Sequence, residues 1–492
     1  MKNGLLRVAK NTLFVSAERG IEILVSIATI AIIARYLSVE QVGQYIFIVT
    51  TAGLLLMGSF AGLERILVRN ISRNMENTDE YLREANTARN IMFIGVLFIL
   101  SIVLFFMRFD RISLIATGIF IASEFLSYQG MTYMIVFKAY ERMEYNTIVT
   151  VITKIITLGA TVLAVYFDLG FVSIFFALVA GNLFKTTTAF LLFRKICPRK
   201  RSTLHVRSNH WKEFIKESYL ITFSTILTFM CLRMDVFILK AFSTLKDVAF
   251  FQISLSIIMQ MYILPQAITS AFTPMLSREI SITKEINRDL IEKLLTLLLI
   301  VGFPITVLGF YYAPNIIHII YGDKYMQAVL SFKTLTTYSI FVMLCYFFET
   351  LLISIEKQTW IVYGWVFCFI VNLILGLIFV PFFGHIGASV AITLAFFCLC
   401  VFLYFSLIWF IPVKIGKRTI VKIFSSVSLM ILYLWLSPLS ATNSLLLDIT
   451  NALITTLFYL VAYFSWDIST TRETLRNWFL KRSKLSTFLD SK

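Results

Sequence analysis

The stretch ARYLSVEQVGQY, residues Ala34–Tyr45, joins two apolar runs and makes the start of the chain a predicted helical hairpin. The run before it, residues 13–34, is long enough to cross a bilayer, which takes about 20 residues. Glu18, Arg19 and Glu22 lie inside this run. A centrally placed charge costs roughly 2.5–3.5 kcal/mol on insertion scales. Three charges in one span therefore predict a helix that faces protein or a wet cavity rather than lipid.

The composition extends this interpretation to the whole chain. Its 492 residues are 58% hydrophobic and only 15% charged, with a mean hydropathy of +0.83. Soluble domains are about 45–50% apolar and about 25% charged. Because the apolar runs have helical rather than ten-residue alternating character, we predict an all-α polytopic membrane protein instead of a barrel.

The apolar runs predict about fourteen transmembrane helices. Their approximate limits are 12–34, 43–63, 90–107, 113–136, 147–167, 171–193, 215–238, 248–270, 290–313, 331–353, 360–382, 386–410, 419–436 and 445–466.

The loop charges support this count and predict an orientation. Of the 44 Lys and Arg residues, 30 fall in alternate loops that include both termini, 6 fall in the intervening loops and 8 fall within the spans. Positive charge accumulates in cytoplasmic loops, so both termini are predicted to be cytoplasmic. This rule also accounts for most of the net charge of +16, and we do not expect a nucleic-acid partner.

The hairpin turn recurs in the second half of the chain. Leu239–Gln252, LKAFSTLKDVAFFQ, also passes from a basic residue through a short polar turn to a small residue and an aromatic. The comparison aligns Arg35 with Lys240 and Gly43 with Ala249. Six spans separate the two turns, so the halves share one orientation, as in parallel transporter repeats.

The repeat and the loops predict five regions. They are an N-terminal six-helix bundle at 1–193, a basic cytoplasmic linker at 194–214, a C-terminal six-helix bundle at 215–410, two additional transmembrane helices at 411–467 and a basic cytoplasmic tail at 468–492.

Four stretches resemble the polysaccharide-transport branch of the multidrug/oligosaccharidyl-lipid/polysaccharide exporter superfamily. They are IIARYLSVEQVGQYIFIVTTAGL (32–54), MDVFILKAF (234–242), APNIIHIIYGDKY (313–325) and GHIGASVAITLAF (384–396). The resemblance implies a MATE-like fold, with two pseudo-symmetric bundles around a central cavity. Within this branch the chain is most similar to the Wzx-type O-antigen flippases of the bacterial inner membrane. One departure is Ala249, where the first half has Gly43.

Such a flippase moves an undecaprenyl-pyrophosphate-linked oligosaccharide, which has an anionic pyrophosphate, a polar glycan and an apolar tail. Cations inside the spans could hold the phosphates, since guanidinium groups bind phosphate oxygens bidentately. The candidates are Arg19, Lys154, Lys185, Arg233, Arg35 and Lys240. For Arg19 the alternative is an ion pair with Glu22 or Glu18, and for Arg35 and Lys240 it is snorkelling to the interface.

Intramembrane carboxylates could couple transport to H+ or Na+, or could neutralise these cations. The candidates are Glu18, Glu22, Glu124, Asp235 and Glu349. Arg233 and Asp235 are two residues apart, so we expect them to point to different faces of one helix. No metal site and no bound cofactor are predicted, since no Cys or His residues have ligand spacing.

Two other functions stay open. A drug or cation extruder of the same fold should have an acidic, aromatic cavity, whereas the spans here also contain Lys and Arg residues. A membrane glycosyltransferase or O-antigen polymerase usually needs a large outer loop, and the outer loops here are short, so we expect no enzyme. Besides the lipid-linked glycan, the expected partners are membrane lipid and other polysaccharide-assembly membrane proteins.

Overall fold

The computed structural model describes residues 2–107, 109–197, 210–261, 288–410, 417–437 and 447–465, together with Pro265, Gln266, Ile268 and Thr269. Within these residues the chain is helical and contains no strand, which confirms the predicted all-α class. Most of the predicted linker (198–209) and the whole predicted tail (468–492) lie outside the described residues.

The helices follow one another with short turns. They are α1 (Lys2–Tyr36), α2 (Val39–Met57), α3 (Ala61–Arg73), α4 (Thr78–Met107), α5 (Arg111–Ala139), α6 (Met143–Tyr166), α7 (Phe171–Ile196), α8 (His210–Phe242), α9 (Leu245–Gln260), α10 (Arg288–Tyr311), α11 (Ala313–Tyr321), α12 (Val329–Ser354), α13 (Gln358–Phe410), α14 (Lys417–Leu436) and α15 (Leu447–Ser465). Short 3-10 turns occupy Met75–Asn77 and Asp323–Ala328.

Each of the fourteen predicted spans coincides with helix in the described residues. Ten helices there are long and apolar enough to cross a membrane. One of the ten, α13, contains two predicted spans, because its backbone breaks at Gly384, where φ is 52°. A positive φ is readily adopted only by glycine.

The predicted second span is not one helix. The chain turns at residues 58–60, so that α2 ends and α3 begins within it. The reason is the packing of α3 on α8. A Cβ on Gly62 would lie 2.3 Å from the Ser218 carbonyl oxygen. The Gly62 amide also donates a hydrogen bond to the Thr222 hydroxyl at 3.1 Å.

A hydroxyl side chain caps the second helix of each hairpin turn. Ser38 caps α2 in a capping box, in which its hydroxyl accepts the Gln41 amide at 3.2 Å and the Gln41 side chain accepts the Ser38 amide at 3.0 Å. At the start of α9 the Thr244 hydroxyl accepts the Asp247 amide at 3.2 Å. A Ser or Thr three residues before a Gln or Asp thus starts the second helix of both hairpins.

The chain divides into two compact units. Unit 1 comprises Met1–Gln260, Ile317–Ser331 and Phe369–Ile392. Unit 2 comprises Met261–Ile316, Phe332–Cys368 and Thr393–Lys492. In unit 2, aromatic and aliphatic side chains of α14 and α15 form a core with α10. The predicted bundle limits at residues 193 and 215 stay a prediction.

Helix α2 approaches the start of α9 so closely that only glycine fits at one position. A Cβ on Gly43 would lie 1.8 Å from the Leu245 carbonyl oxygen, whereas a Cβ on Gly53 in the same helix would meet nothing within 4 Å. We expect Gly43→Ala to destabilise the protein by about 2 kcal/mol, within the 1–3 kcal/mol typical of overpacking. Gly53→Ala should leave stability unchanged or raise it by up to about 1 kcal/mol through helix propensity.

The measurement is the thermal unfolding midpoint of the two purified variants in detergent. Equal midpoints for Gly43→Ala and Gly53→Ala would show that α2 and α9 do not pack at this distance.

Candidate functional site

A cavity of about 380 Å³ lies within unit 1, between α1, α2, α5, α8 and α9; we call it the central cavity. Most of its wall is apolar. The polar side chains that line it are Tyr45, Thr50, Glu124, Tyr128, Arg233, Gln252 and Ser256.

Arg233 is the positively charged side chain in the lining of the central cavity. Its guanidinium carbon lies 5.9 Å from the ring centre of Phe229, one turn earlier on α8. Asp235 points elsewhere, as its spacing predicts, and is fully buried. Its Oδ2 accepts a hydrogen bond from the Asn372 amide at 3.3 Å. The Oδ1 atoms of Asp235 and Asn372 are buried without a hydrogen-bond partner in the described residues.

Glu124 lines the same cavity, and Lys185 lies behind it. The Tyr128 hydroxyl lies close enough to the Glu124 carboxylate to interact with it. Lys185 donates a hydrogen bond to the Ser127 hydroxyl at 2.9 Å and interacts electrostatically with Glu124. Helices α5 and α7 thus place a carboxylate and an ammonium together in an apolar environment, where neither is stable alone.

A second cavity, of about 550 Å³, follows the first on the side that the loop charges predict to be cytoplasmic; we call it the lower cavity. Both cavities are lined by Met57 and Tyr128. The lower cavity also contains Glu64, which pairs with Lys138 at 2.6 Å. Arg65 lines it as well, is exposed, and has no ion-pair partner in the part of the chain that the structure describes.

Arg65 is absent from the sequence-based candidates because it follows the second apolar run and resembles a loop charge. The turn at residues 58–60 places α3, and Arg65 with it, on the cavity wall. Nothing in the sequence marks that turn except Gly58, and glycine is common in membrane helices.

The charges of α1 form a separate cluster with α6. Glu22 pairs with Arg19 at 3.2 Å and with Lys154 at 3.6 Å. Glu18 accepts hydrogen bonds from Thr147 at 3.2 Å and from Thr150 at 2.8 Å. None of these charged groups is among the residues that line the central or the lower cavity.

The other candidate cations lie at the predicted outer face. Arg35 donates a hydrogen bond to the Ile320 carbonyl at 3.1 Å. Lys240 lines a smaller cavity of about 350 Å³, with its Nζ 6.0 Å from the Phe47 ring centre. Asp110 also lines that cavity, where the Ser113 hydroxyl holds the pKa of the Asp110 carboxyl below its usual value.

Glu349 lies in unit 2 and is not among the residues that line these cavities. Its carboxylate is hydrogen-bonded to Trp365. Its Oε1 is buried and without a partner in the described residues. The structure therefore places Arg233 and Glu124 in the lining of one cavity. Glu18, Arg19, Glu22 and Lys154 are grouped on α1 and α6, and Lys185 interacts electrostatically with Glu124, Lys154 and Glu22. Arg35, Lys240, Asp235 and Glu349 lie at separate places.

A family model described as "Polysaccharide biosynthesis protein" matches residues 8–280, which is more than half of the 492 residues. The chain belongs to this family. A second model, MatE, matches residues 221–378. Together they confirm the resemblance to the multidrug/oligosaccharidyl-lipid/polysaccharide exporter superfamily. A search of curated proteins finds no match.

Solved structures share the fold at low sequence identity. The lipid II flippase MurJ, in an inward closed conformation, is 15% identical with a TM-score of 0.72, covering 94% of this chain and 100% of that one. An inward-facing multidrug resistance MATE family transporter is 14% identical with a TM-score of 0.62, covering 83% and 95%. The eukaryotic MATE transporter AtDTX14 is 14% identical with a TM-score of 0.57, covering 86% and 100%. These likenesses establish the fold alone.

The interaction between Lys185 and Glu124 predicts non-additive effects on stability. Lys185→Met leaves the half-buried Glu124 carboxylate without this cation, and leaving such a group without its partner costs about 1–3 kcal/mol. The double variant with Glu124→Gln should recover most of that loss, because no uncompensated charge remains. Unfolding midpoints of the two single variants and the double variant measure the coupling.

Lys195→Met, at the exposed end of α7, is the control and should change stability by less than about 0.5 kcal/mol. Additive losses in the double variant would contradict a coupled pair.

Proposed function

We propose that the protein is a flippase that carries an undecaprenyl-pyrophosphate-linked oligosaccharide, such as an O-antigen repeat unit, across the bacterial inner membrane. The observation that carries this proposal is the succession of two cavities with an arginine in each. Arg65 lines the lower cavity and Arg233 the central one, and both cavities are lined by Tyr128.

The chemistry of the substrate fits this arrangement. A pyrophosphate carries negative charge and presents several oxygens, and hydrogen bonds between ionised partners are about twice as strong as neutral ones. Arg65 would bind the phosphates when they enter from the predicted cytoplasmic side, and Arg233 would bind them after they move inward. Arg65 and Arg233 are the cations among the residues that line these two cavities. No covalent step is needed, so we propose a transporter and not an enzyme.

Transport of a charged headgroup needs a driving force, and the Asp235–Asn372 pair is the proposed coupling site for H+ or Na+. A buried carboxylate with an unsatisfied oxygen beside an unsatisfied amide oxygen is stabilised when a proton or a cation occupies it. Asp235 lies two residues from Arg233 on α8, so a change of charge at the carboxylate acts on the helix that holds the cavity cation. We propose in addition that both termini of the protein are cytoplasmic.

A second function, extrusion of organic cations, is favoured by one feature. The central cavity places Glu124 among the rings of Tyr45, Phe120 and Phe229. Aromatic faces and a carboxylate attract cations. The presence of Arg233 in the same cavity opposes such a substrate, and we rank the anionic lipid first.

Arg65 tests the proposed function. In proteoliposomes with labelled undecaprenyl-pyrophosphate oligosaccharide, we expect Arg65→Ala to lower the initial rate of translocation about tenfold or more, since a hydrogen bond to a charged group contributes about 1.5–3 kcal/mol. Arg73→Ala is the matched control, because Arg73 is exposed on the same helix and lines neither cavity. The same vesicles are assayed for uptake of cationic dyes.

Failure of the wild-type protein to move the lipid-linked sugar, together with dye transport, would replace the flippase by the extruder. Equal initial rates of translocation for Arg65→Ala and Arg73→Ala would show that Arg65 does not bind the substrate during transport.

Asp235 tests the coupling. We expect Asp235→Asn to bind the lipid-linked sugar with unchanged affinity but to transport it at the same rate with and without an imposed H+ or Na+ gradient. The physical reason is that an amide can neither be protonated near neutral pH nor carry the charge that holds a cation. The measurement is the ratio of rates with and without each gradient, and a wild-type ratio in the variant would exclude Asp235 as the coupling group.

A further inference from the structure

A short segment at the end of α11, residues 319–325, lies against the turn between α1 and α2; we call it the strap. The Arg35 guanidinium donates hydrogen bonds to the carbonyls of Ile319 and Ile320, with 3.1 Å between Nε and the Ile320 oxygen. Because α11 ends at Tyr321, these carbonyls belong to its last turn and have no partner within the helix. Arg35 therefore caps α11, and its charge suits the negative end of a helix dipole.

The strap caps α1 in return. The Lys324 ammonium donates hydrogen bonds to the carbonyls of Arg35 at 2.7 Å and Leu37 at 2.6 Å. The Tyr325 hydroxyl donates to the Ala34 carbonyl at 3.0 Å. Tyr325 and Ala34 are fully buried. Helix α1 ends one residue after Arg35, so the strap satisfies carbonyls that would otherwise be left without a partner.

The strap is also attached to α9. The hydroxyls of Ser256 and Tyr321 are 3.2 Å apart, and Ser254 donates a hydrogen bond to the Ala328 carbonyl, just past the strap, at 3.1 Å. Ser256 lines the central cavity on α9, and Ile30 lines it on α1. The strap thus connects two helices that form the cavity wall, on the side that the loop charges predict to be outer.

The residue next to Arg35 points to a different neighbour. The Tyr36 hydroxyl donates a hydrogen bond to Asp168 at 2.6 Å and accepts one from the Gly170 amide at 2.8 Å. Both partners lie between α6 and α7, in the predicted N-terminal bundle to which α1 belongs. The end of α1 is therefore attached to its own bundle through Tyr36. It is attached to the strap through Ala34, Arg35 and Leu37.

We propose that the strap is the outer gate of the transport route, which opens when Arg35, Lys324 and Tyr325 release their carbonyl partners while Tyr36 keeps α1 on its bundle. This inference rests on the proposed function as far as a transport route is concerned. The gate gives a function to the stretch APNIIHIIYGDKY (313–325), which takes no part in the proposed substrate binding. Water replaces the partners of Arg35 and Lys324, because both side chains are already exposed, and the buried Tyr325 hydroxyl meets water as the gate opens.

The test measures access to the central cavity from outside. A full-length variant with all six native cysteines replaced by serine carries Thr50→Cys, in the cavity wall, and reacts with an impermeant thiol reagent in right-side-out vesicles. We expect Lys324→Ala and Arg35→Ala each to raise the labelling rate about tenfold, since each removes hydrogen bonds from a charged donor. Lys246→Ala is the matched control, because Lys246 is exposed at the start of α9 and lies outside the strap.

A second variant guards against loss of folding. Leu37→Cys with Lys324→Cys, in the background without other cysteines, should form a disulfide that lowers transport at least tenfold, and reduction should restore it. Labelling rates equal to that of Lys246→Ala, or full transport with the disulfide formed, would overturn the gate. Labelling needs no substrate, so the gate can fail while the flippase stands. It can also hold if the substrate proves to be a cation.

Discussion

A charge inside an apolar helix bundle is stable only with a partner, and this requirement organises the spans of unit 1. Lys154 has Glu22 and the Ser26 hydroxyl, and Lys185 has Glu124 and the Ser127 hydroxyl. These pairs join α1 to α6 and α7 to α5. Each holds two helices in one register, because sliding one helix by a single turn would separate the charges by about 5 Å. The pairs therefore fix the walls against which the cavity cations are placed.

Much of the fold follows from local sequence. The apolar runs and the alternation of loop charges predict the helices, and the capping box of Ser38 and Gln41 that begins α2 is also a local feature. The different directions of Arg233 and Asp235 follow from helical geometry alone. What these features share is that every residue involved lies within a few positions of its partners, so periodicity and capping rules apply directly.

The parts that sequence does not reveal depend on distant residues. Arg35 resembles a snorkelling interface residue, yet its partners are carbonyls 284 and 285 positions away. Arg65 resembles a loop charge until the turn at 58–60 places α3 against α8. Arg19 is the most prominent cation of the sequence, but it is exposed and paired with Glu22. Charge and hydropathy identify which residues are costly in a membrane, but not which helix faces them.

The two hairpins share a sequence motif but differ in the residue at their contact. In both hairpins a Ser or Thr side chain caps the start of the second helix. Gly43 faces the backbone of Leu245, where a Cβ would not fit, whereas the corresponding residue of the second half is Ala249. One small residue is enough to bring two turns together, because the contact needs space on one side only. The asymmetry noted in the sequence therefore reflects which hairpin supplies that space.

Tyr128 lies where the central and the lower cavity meet, and few contacts hold it there. Tyr128 lines both cavities and stacks on Phe60, with ring centres 5.4 Å apart and planes inclined by 14°. The buried Arg89 donates a hydrogen bond to the Tyr128 carbonyl at 3.0 Å and another to Thr132 at 2.6 Å. The ring is thus packed on one face, and the α5 backbone that carries it is held by Arg89. For the proposed transport route, a ring held in this way favours a shift of whole helices over the motion of a single side chain.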